Sequence, residues 1–185
     1  MKILQAMAGA EFGGAEEFFV RLAIALNGLD IQQRVVIREN KTRARRLRAG
    51  GIEPTELRFG GMLDVISPWK MKRELTEFEP DIVLTWMNRA TKICPIDDNF
   101  IHVGRLGGYY NLKYYEHCDH LIANTQDIAD YLVKNGWEES NVHYLPNFVG
   151  AKTGKPLSRE DFFTPYRAPL IVALGRLHEN KAFDV

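Results

Sequence analysis

The sequence predicts an α/β fold, a Rossmann-like parallel sheet with helices on both faces, and three observations predict it. Short β-rich runs alternate with helix-period segments from the start to about residue 145. The run IVLTW at 82–86 is almost continuously apolar, as a strand covered on both faces must be. Glycine pairs at 13–14, 60–61 and 107–108 follow strand-like runs, where a chain leaving a sheet has to turn.

The elements follow in order. Ile3–Met7 reads as the first strand. In the helix after it, Ala15, Phe18, Phe19, Leu22, Ala25, Leu26 and Leu29 recur at three- and four-residue spacing, and Gly28 suits its end. Arg34–Arg38 is a second strand, 41–48 a basic surface helix and Pro54–Phe59 a third strand. A helix over 64–78 is expected, with Pro68 disturbing or delaying its start. Strands follow at 82–86, 101–106, 119–123 and 142–145. Between the last two, Asn124-Thr125 caps a helix that turns Ile128, Ala129, Leu132 and Val133 inward and stops at Gly136.

Residues 1–149 therefore read as one domain. From Gly150 to Pro169 the apolar period is lost, which reads as an interdomain connection. Leu170–Leu174 then reads as a strand that breaks at Gly175, so 170–185 looks like the opening of a second α/β domain.

Composition excludes several classes. With 24 basic and 24 acidic residues, no overall field favours a nucleic acid. Two cysteines provide neither a disulfide framework nor a four-thiolate metal site, which fits a reducing cytoplasm. The run from Glu116 to His120 matches no common zinc spacing, so no metal is expected. No apolar run is long enough to cross a bilayer, so membrane contact would be peripheral. Lys41, Arg43, Arg45, Arg46 and Arg48 form a basic patch that would suit an anionic membrane surface, at about 1 kcal/mol per charge; a solvated helix face is the plainer reading.

Ligands of an open parallel sheet sit beyond the carboxyl ends of its strands. Gly13 and Gly14 lie there, where backbone N–H groups favour a phosphate, although Glu16 and Glu17 would compete with an anion. Trp86 and Asn88 close the central strand at the same edge and would suit a sugar ring, although a tryptophan there is more often a core residue than a platform. Arg105 would bind an acceptor phosphate or acidic sugar, or equally hold a structural ion pair, and Tyr109 heads a tyrosine-rich segment that would line a cleft or cover the sheet. The loop does not fit Gly-x-Gly-x-x-Gly, which makes a nicotinamide-dependent oxidoreductase the weaker alternative.

Three segments taken together resemble the retaining, two-Rossmann-domain nucleotide-sugar glycosyltransferases of family 4, which have the GT-B fold. They are Gly13-Gly14-Ala15-Glu16 after the first strand, Pro146-Asn147 after the last, and Gly175-Arg176-Leu177 followed by Lys181, with Ala182 where a glycine is usual. The resemblance implies an N-terminal acceptor-side domain and a C-terminal domain that binds the nucleotide-sugar donor. It implies that Gly13 and Gly14 form the glycine loop of the cleft, and that Arg176 and Lys181 neutralise the donor diphosphate without a metal or cofactor. The usual histidine beyond the fifth strand is replaced by Leu106 or Gly107, and the family's paired-glutamate motif has no counterpart. The expected activity is sugar transfer to a glycan or lipid-linked acceptor in envelope polysaccharide or lipopolysaccharide synthesis, on the cytoplasmic side, with this chain inactive alone. A carbohydrate- or partner-binding module without catalysis is the alternative from another class.

Overall fold

The computed structural model describes residues 1–60, 64–148, 154–163 and 165–175, which fall in two compact units, Met1–Phe148 and Val149–Val185. The first unit is one parallel sheet of seven strands: β1 (Lys2–Met7), β2 (Gln32–Arg38), β3 (Thr55–Leu57), β4 (Ile82–Trp86), β5 (Ile101–Leu106), β6 (His120–Ala123) and β7 (Val142–Tyr144). Their spatial order is β3-β2-β1-β4-β5-β6-β7. The chain runs outward from β1 to β3, then returns to β4 on the other side of β1. The crevice between the ends of β1 and β4 is thus the topological switch point.

Side chains alternate across this sheet. Leu4, Ala6, Val36 and Val83 face α3 (Ile66–Phe78) and α4 (Met87–Ile93), whose Met71, Leu75 and Ala90 close that core. Met7, Val35, Ile37 and Leu84 face α1 (Gly14–Asn27) and α2 (Lys41–Ala49) through Phe18, Phe19, Ala44 and Leu47. Beyond them, α5 (Gln126–Lys134) lays Ile128, Ala129 and Leu132 on Leu106, Leu121 and Tyr115. Gln5, which interrupts the apolar run of β1, is fully buried: it accepts from Trp86 Nε1 at 3.2 Å and donates to Gln33 Oε1 at 2.6 Å. Gly104 of β5 leaves room for a close approach, because a Cβ there would lie 2.8 Å from Tyr115 Cδ1 and 3.0 Å from Cys118 Sγ.

Several boundaries differ from expectation for local reasons. Helix α1 turns Glu16, Val20 and Ala23 inward while Ala25 and Leu29 are exposed, so its buried stripe is rotated from the apolar one. Helix α3 starts at Ile66 and keeps Pro68 in its first turn, where a missing N–H costs nothing. Its start is held by the Asp64 carboxylate, which accepts from Gly60 N at 2.6 Å, Ser67 N at 3.0 Å and Ser67 Oγ at 2.5 Å. Helix α4, seven residues leaving β4 directly through Met87 at φ 62°, lacks the length or caps that would have announced it.

In the second unit, a 3₁₀ turn at Arg159–Phe162 is capped by Ser158 and Asp161. The strand expected over 170–174 is absent: these residues are irregular, with Ile171, Val172 and Leu174 exposed. A strand exists only through a ladder with a neighbour, and none stands beside this run among the described residues of its unit. Arg176, Lys181 and the Gly175-Arg176-Leu177 step beyond Gly175 lie outside the described residues.

Candidate functional site

The loop from Gly9 to Gly14 carries the chain from β1 into α1 at the switch point, and a buried carboxylate shapes it. Glu16 folds back beneath the loop, and its Oε1 accepts from Ala10 N at 2.7 Å. A Cβ on Gly9 would lie 2.5 Å from Glu16 Oε1, and one on Gly13 would lie 2.1 Å from Oε2. These two glycines are therefore required by the side chain they cover. Gly14 is different: nothing lies within 4 Å of its missing Cβ, so the first turn of α1 is open to close approach.

Arg43 holds the loop from the other side. It is buried, its Nη2 donates to Ala10 O at 2.5 Å, and Nη1 has no partner among the described residues. Desolvation pulls its pKa down while Glu16 opposes the shift. The expected competition between Glu16, Glu17 and a bound anion is therefore reduced. Glu16 is turned under the loop beside Arg43, and Glu17 is engaged by Arg46 at 2.5 Å, which lowers its pKa. Glu16→Ala is expected to cost about 1–3 kcal/mol by stranding the Ala10 N–H. Hydrogen exchange at Ala10 should accelerate by more than at residues of β6; equal acceleration would show general loosening instead.

The four residues expected on the acceptor side are not brought together. Trp86 is 2% exposed, with Phe18 tilted against its ring at 5.9 Å, Phe19 edge-on at 5.3 Å and the Arg105 guanidinium 5.0 Å away. The sugar-stacking face expected of Trp86 is thus corrected to a core position, since the aromatic residues of α1 cover it. Arg105 is also buried. Its Nη2 donates to Leu145 O and Asn147 Oδ1, both at 2.9 Å, and Phe18 lies 4.9 Å from its guanidinium. Burial lowers its pKa to about 10, so it keeps its charge at neutral pH without a carboxylate partner among the described residues. The expected acceptor contact of Arg105 is corrected to a clamp on the chain leaving β7.

Tyr109 is exposed, donates its hydroxyl to Asp127 and packs edge-on against Tyr131 at 5.2 Å, away from the β1–β4 crevice. Asn88, by contrast, stands at the end of β4 in a cavity. Its Oδ1 accepts from Tyr115 OH at 2.9 Å, so Nδ2 is left for another partner. The tyrosine-rich segment divides: Tyr115 fills the core and Tyr114 lines that same cavity. His102 sits near the amino end of β5, accepts or donates at Thr85 Oγ1 at 2.9 Å, and burial lowers its pKa to about 4. It is neutral at physiological pH and lies at the wrong end of the sheet for catalysis.

The cavity at the end of β2, β3 and β4 has a volume of about 680 Å³. Arg38, Phe59, Asn88, Arg89, Lys92 and Tyr114 form most of its wall. Phe59 and Met87, which follow β3 and β4, hold φ values of 45° and 62°, a region that costs bulky residues energy and that clusters at binding sites. The sequence reading missed Arg38, Arg89 and Lys92. The rule that ligands sit beyond strand ends points to the first two, but the third needs α4, whose existence was not foreseen.

The basic patch expected on α2 is largely spent within the chain. Arg43 is buried under the loop, Arg46 pairs with Glu17 at 2.5 Å, and Arg48 pairs with Glu53 at 2.8 Å and Glu56 at 3.3 Å. Five free cations are thereby corrected to two, Lys41 and Arg45, because burial removes Arg43 and acidic residues neutralise Arg46 and Arg48. No helix among the described residues is long and apolar enough to cross a membrane.

Comparison with known proteins agrees with this fold. The chain is 34% identical over 185 residues to the lipopolysaccharide core biosynthesis glycosyltransferase LpsD of Rhizobium meliloti (strain 1021), covering 99% of this chain and 53% of that protein. It is 30% identical over 173 residues to LpsE of the same organism, covering 92% and 51%. The chain thus spans about half the length of the curated relatives it matches. The fold is that of Anabaena HepE solved with UDP, at a TM-score of 0.61 and 18% identity over 80% of this chain and 44% of that one. Nothing in these likenesses favours the nicotinamide alternative. Residues 12–152, which run from the glycine loop past the Pro146-Asn147 step, match the model of Glycosyltransferase Family 4, and the chain belongs to that family.

Proposed function

We propose that this chain supplies the acceptor-side half of a retaining glycosyltransferase. The enzyme moves a sugar from a nucleotide-diphosphate donor to a glycan or lipid-linked acceptor in lipopolysaccharide or related envelope polysaccharide synthesis, on the cytoplasmic side of the membrane. The observation that carries this reading is the likeness to LpsD along 99% of the chain. In this reading 1–149 form the acceptor-side domain, 150–169 the connection, and 170–185 the start of the donor-binding domain.

The glycine roles follow from the geometry of the loop, and those of Arg176 and Lys181 from the family resemblance. Gly14, open above the first turn of α1, lets the donor phosphates approach backbone N–H groups, and Gly13 keeps Glu16 folded beneath them. Arg176 and Lys181 neutralise the diphosphate as it leaves with developing negative charge, so these two cations take the part a metal would otherwise play. Asn88 offers Nδ2 to an acceptor hydroxyl. Any peripheral contact with an anionic membrane rests on Lys41 and Arg45 rather than on the whole basic helix.

The test has two arms. The natural full-length protein, screened against a panel of nucleotide sugars with glycan acceptors, is expected to form a glycoside that keeps the donor's anomeric configuration. Arg176→Ala and Lys181→Ala should each lower kcat/KM by about 10²- to 10³-fold. The 185-residue chain alone is expected to bind any donor more weakly than about 1 mM and to transfer nothing. No glycoside from any donor would overturn the transferase reading, while micromolar donor binding by the 185-residue chain would overturn its division into halves.

A further inference from the structure

We propose that the cavity at the ends of β2, β3 and β4 recognises an acidic saccharide, one bearing a carboxylate or a phosphate, through Arg38, Arg89 and Lys92. This rests on the transferase reading and names the class of acceptor it takes. Three cations from two parts of the chain converge on one cavity: Arg38 ends β2, and Arg89 and Lys92 stand on α4. None of the three has an ion-pair partner among the described residues, and the contact Arg89 makes is a long one, 3.5 Å from Nη1 to Phe59 O. Arg34, Arg46, Arg48 and Arg73, by contrast, are each paired with a nearby acid.

One carboxylate does reach the cavity wall, that of Asp64. It is fully committed elsewhere: the Ser67 hydroxyl, Ser67 N and Gly60 N all donate to it, and the Ser67 hydroxyl leads in holding its pKa down to about 2. Asp64 therefore stays ionised as the cap of α3 and is bound to none of the three cations. Even with Asp64 ionised, the wall carries an excess of positive charge that favours an anion, and guanidinium groups match the oxygens of carboxylate and phosphate.

The remaining wall suits the sugar that would carry such a group. Tyr114 offers an aromatic ring and Asn88 a side-chain N–H left over from its bond with Tyr115. The volume of about 680 Å³ accommodates more than one ring. Recognition of an acidic acceptor group, expected of Arg105, thus passes to residues one to three strands away, because Arg105 is sealed behind Phe18 and Trp86.

The test titrates the ¹⁵N-labelled 185-residue chain with glucose, glucuronic acid, glucose 6-phosphate and inorganic phosphate. The acidic sugars are expected to bind at least about tenfold more tightly than glucose and to shift the Asn88 side-chain amide. Arg38→Gln, Arg89→Gln and Lys92→Gln should each weaken that binding about three- to tenfold, while Lys134→Gln, exposed on α5, leaves it unchanged. Preference for glucuronic acid assigns a carboxylate, and preference for glucose 6-phosphate a phosphate.

Equal binding of glucose, no shift by either acidic sugar at about 100 mM, or inorganic phosphate binding as well as the sugar phosphate would each overturn the proposal. Transfer by the natural full-length protein to an uncharged acceptor, undiminished in the three variants, sinks it and leaves the transferase reading standing. Acidic-sugar binding here without transfer from any donor does the reverse.

Discussion

Tyr115→Ala is expected to lower stability by about 3–5 kcal/mol, the largest effect of any single truncation in the β5–β7 core. Tyr115 is fully buried among Leu106, Cys118, Leu121 and Leu132, so removing its ring leaves a cavity the sheet cannot close. For a chain of this size that corresponds to a fall in Tm of roughly 6–20 °C. Calorimetric unfolding at neutral pH checks it, and a fall below about 3 °C would mean that the ring's surroundings collapse into the space.

Tyr115→Phe separates packing from the site. It keeps the ring, and losing the hydroxyl is expected to cost only about 1 kcal/mol while releasing Asn88 Oδ1. Because Asn88 lines the cavity, Tyr115→Phe should weaken ligand binding there by more than its small stability change suggests. Tyr115 is therefore a positioning residue whose signature is a binding defect in a well-folded protein.

Arg105 is expected to give the second large effect, and the sign depends on the replacement. Arg105→Ala removes the guanidinium between Phe18 and Trp86, leaves Leu145 O and Asn147 Oδ1 without a donor, and should cost about 2–4 kcal/mol. Arg105→Met fills the same slot without a buried charge. Because Arg105 has no acid partner among the described residues, its desolvation is uncompensated, and Arg105→Met is expected within about 1 kcal/mol of the native protein or above it.

Hydrogen exchange distinguishes the clamp from simple filling. In Arg105→Met the amide of Leu145, bonded to Ala123 O, should exchange faster while β1 and β4 stay protected. Should Arg105→Met prove as unstable as Arg105→Ala, the bonds to Leu145 and Asn147 would outweigh the desolvation of the charge.

Much of the fold was legible because it depends on short-range pattern. The continuous apolar run at 82–86 and strand-helix alternation locate all seven strands of the first unit within a few residues, since a parallel strand buried on both faces tolerates little else. Thr125 was readable as a cap, and its Oγ accepts from Ile128 N at 3.2 Å. Helix α4 was not readable, because seven residues present less than two full turns of period and no capping residue. The run 170–174 has the composition of a strand but no ladder partner among the described residues, and composition alone cannot provide one.

Among site residues, the sequence by itself determined which positions fall at strand ends: Gly13, Gly14, Asn88, and the family to which their order belongs. Only the tertiary structure decided what each does there. Trp86 and Arg105 face the α1 side of the sheet and are sealed by Phe18, whereas Asn88 and Arg89 step onto α4 and open to a cavity. Likewise Glu16 reads as a helix-start acid and is in fact the support of the loop above it. The reason is physical: a strand's end is set by its own residues, but which side chain is covered depends on helices packed against it from far along the chain, as Phe19 of α1 covers Trp86.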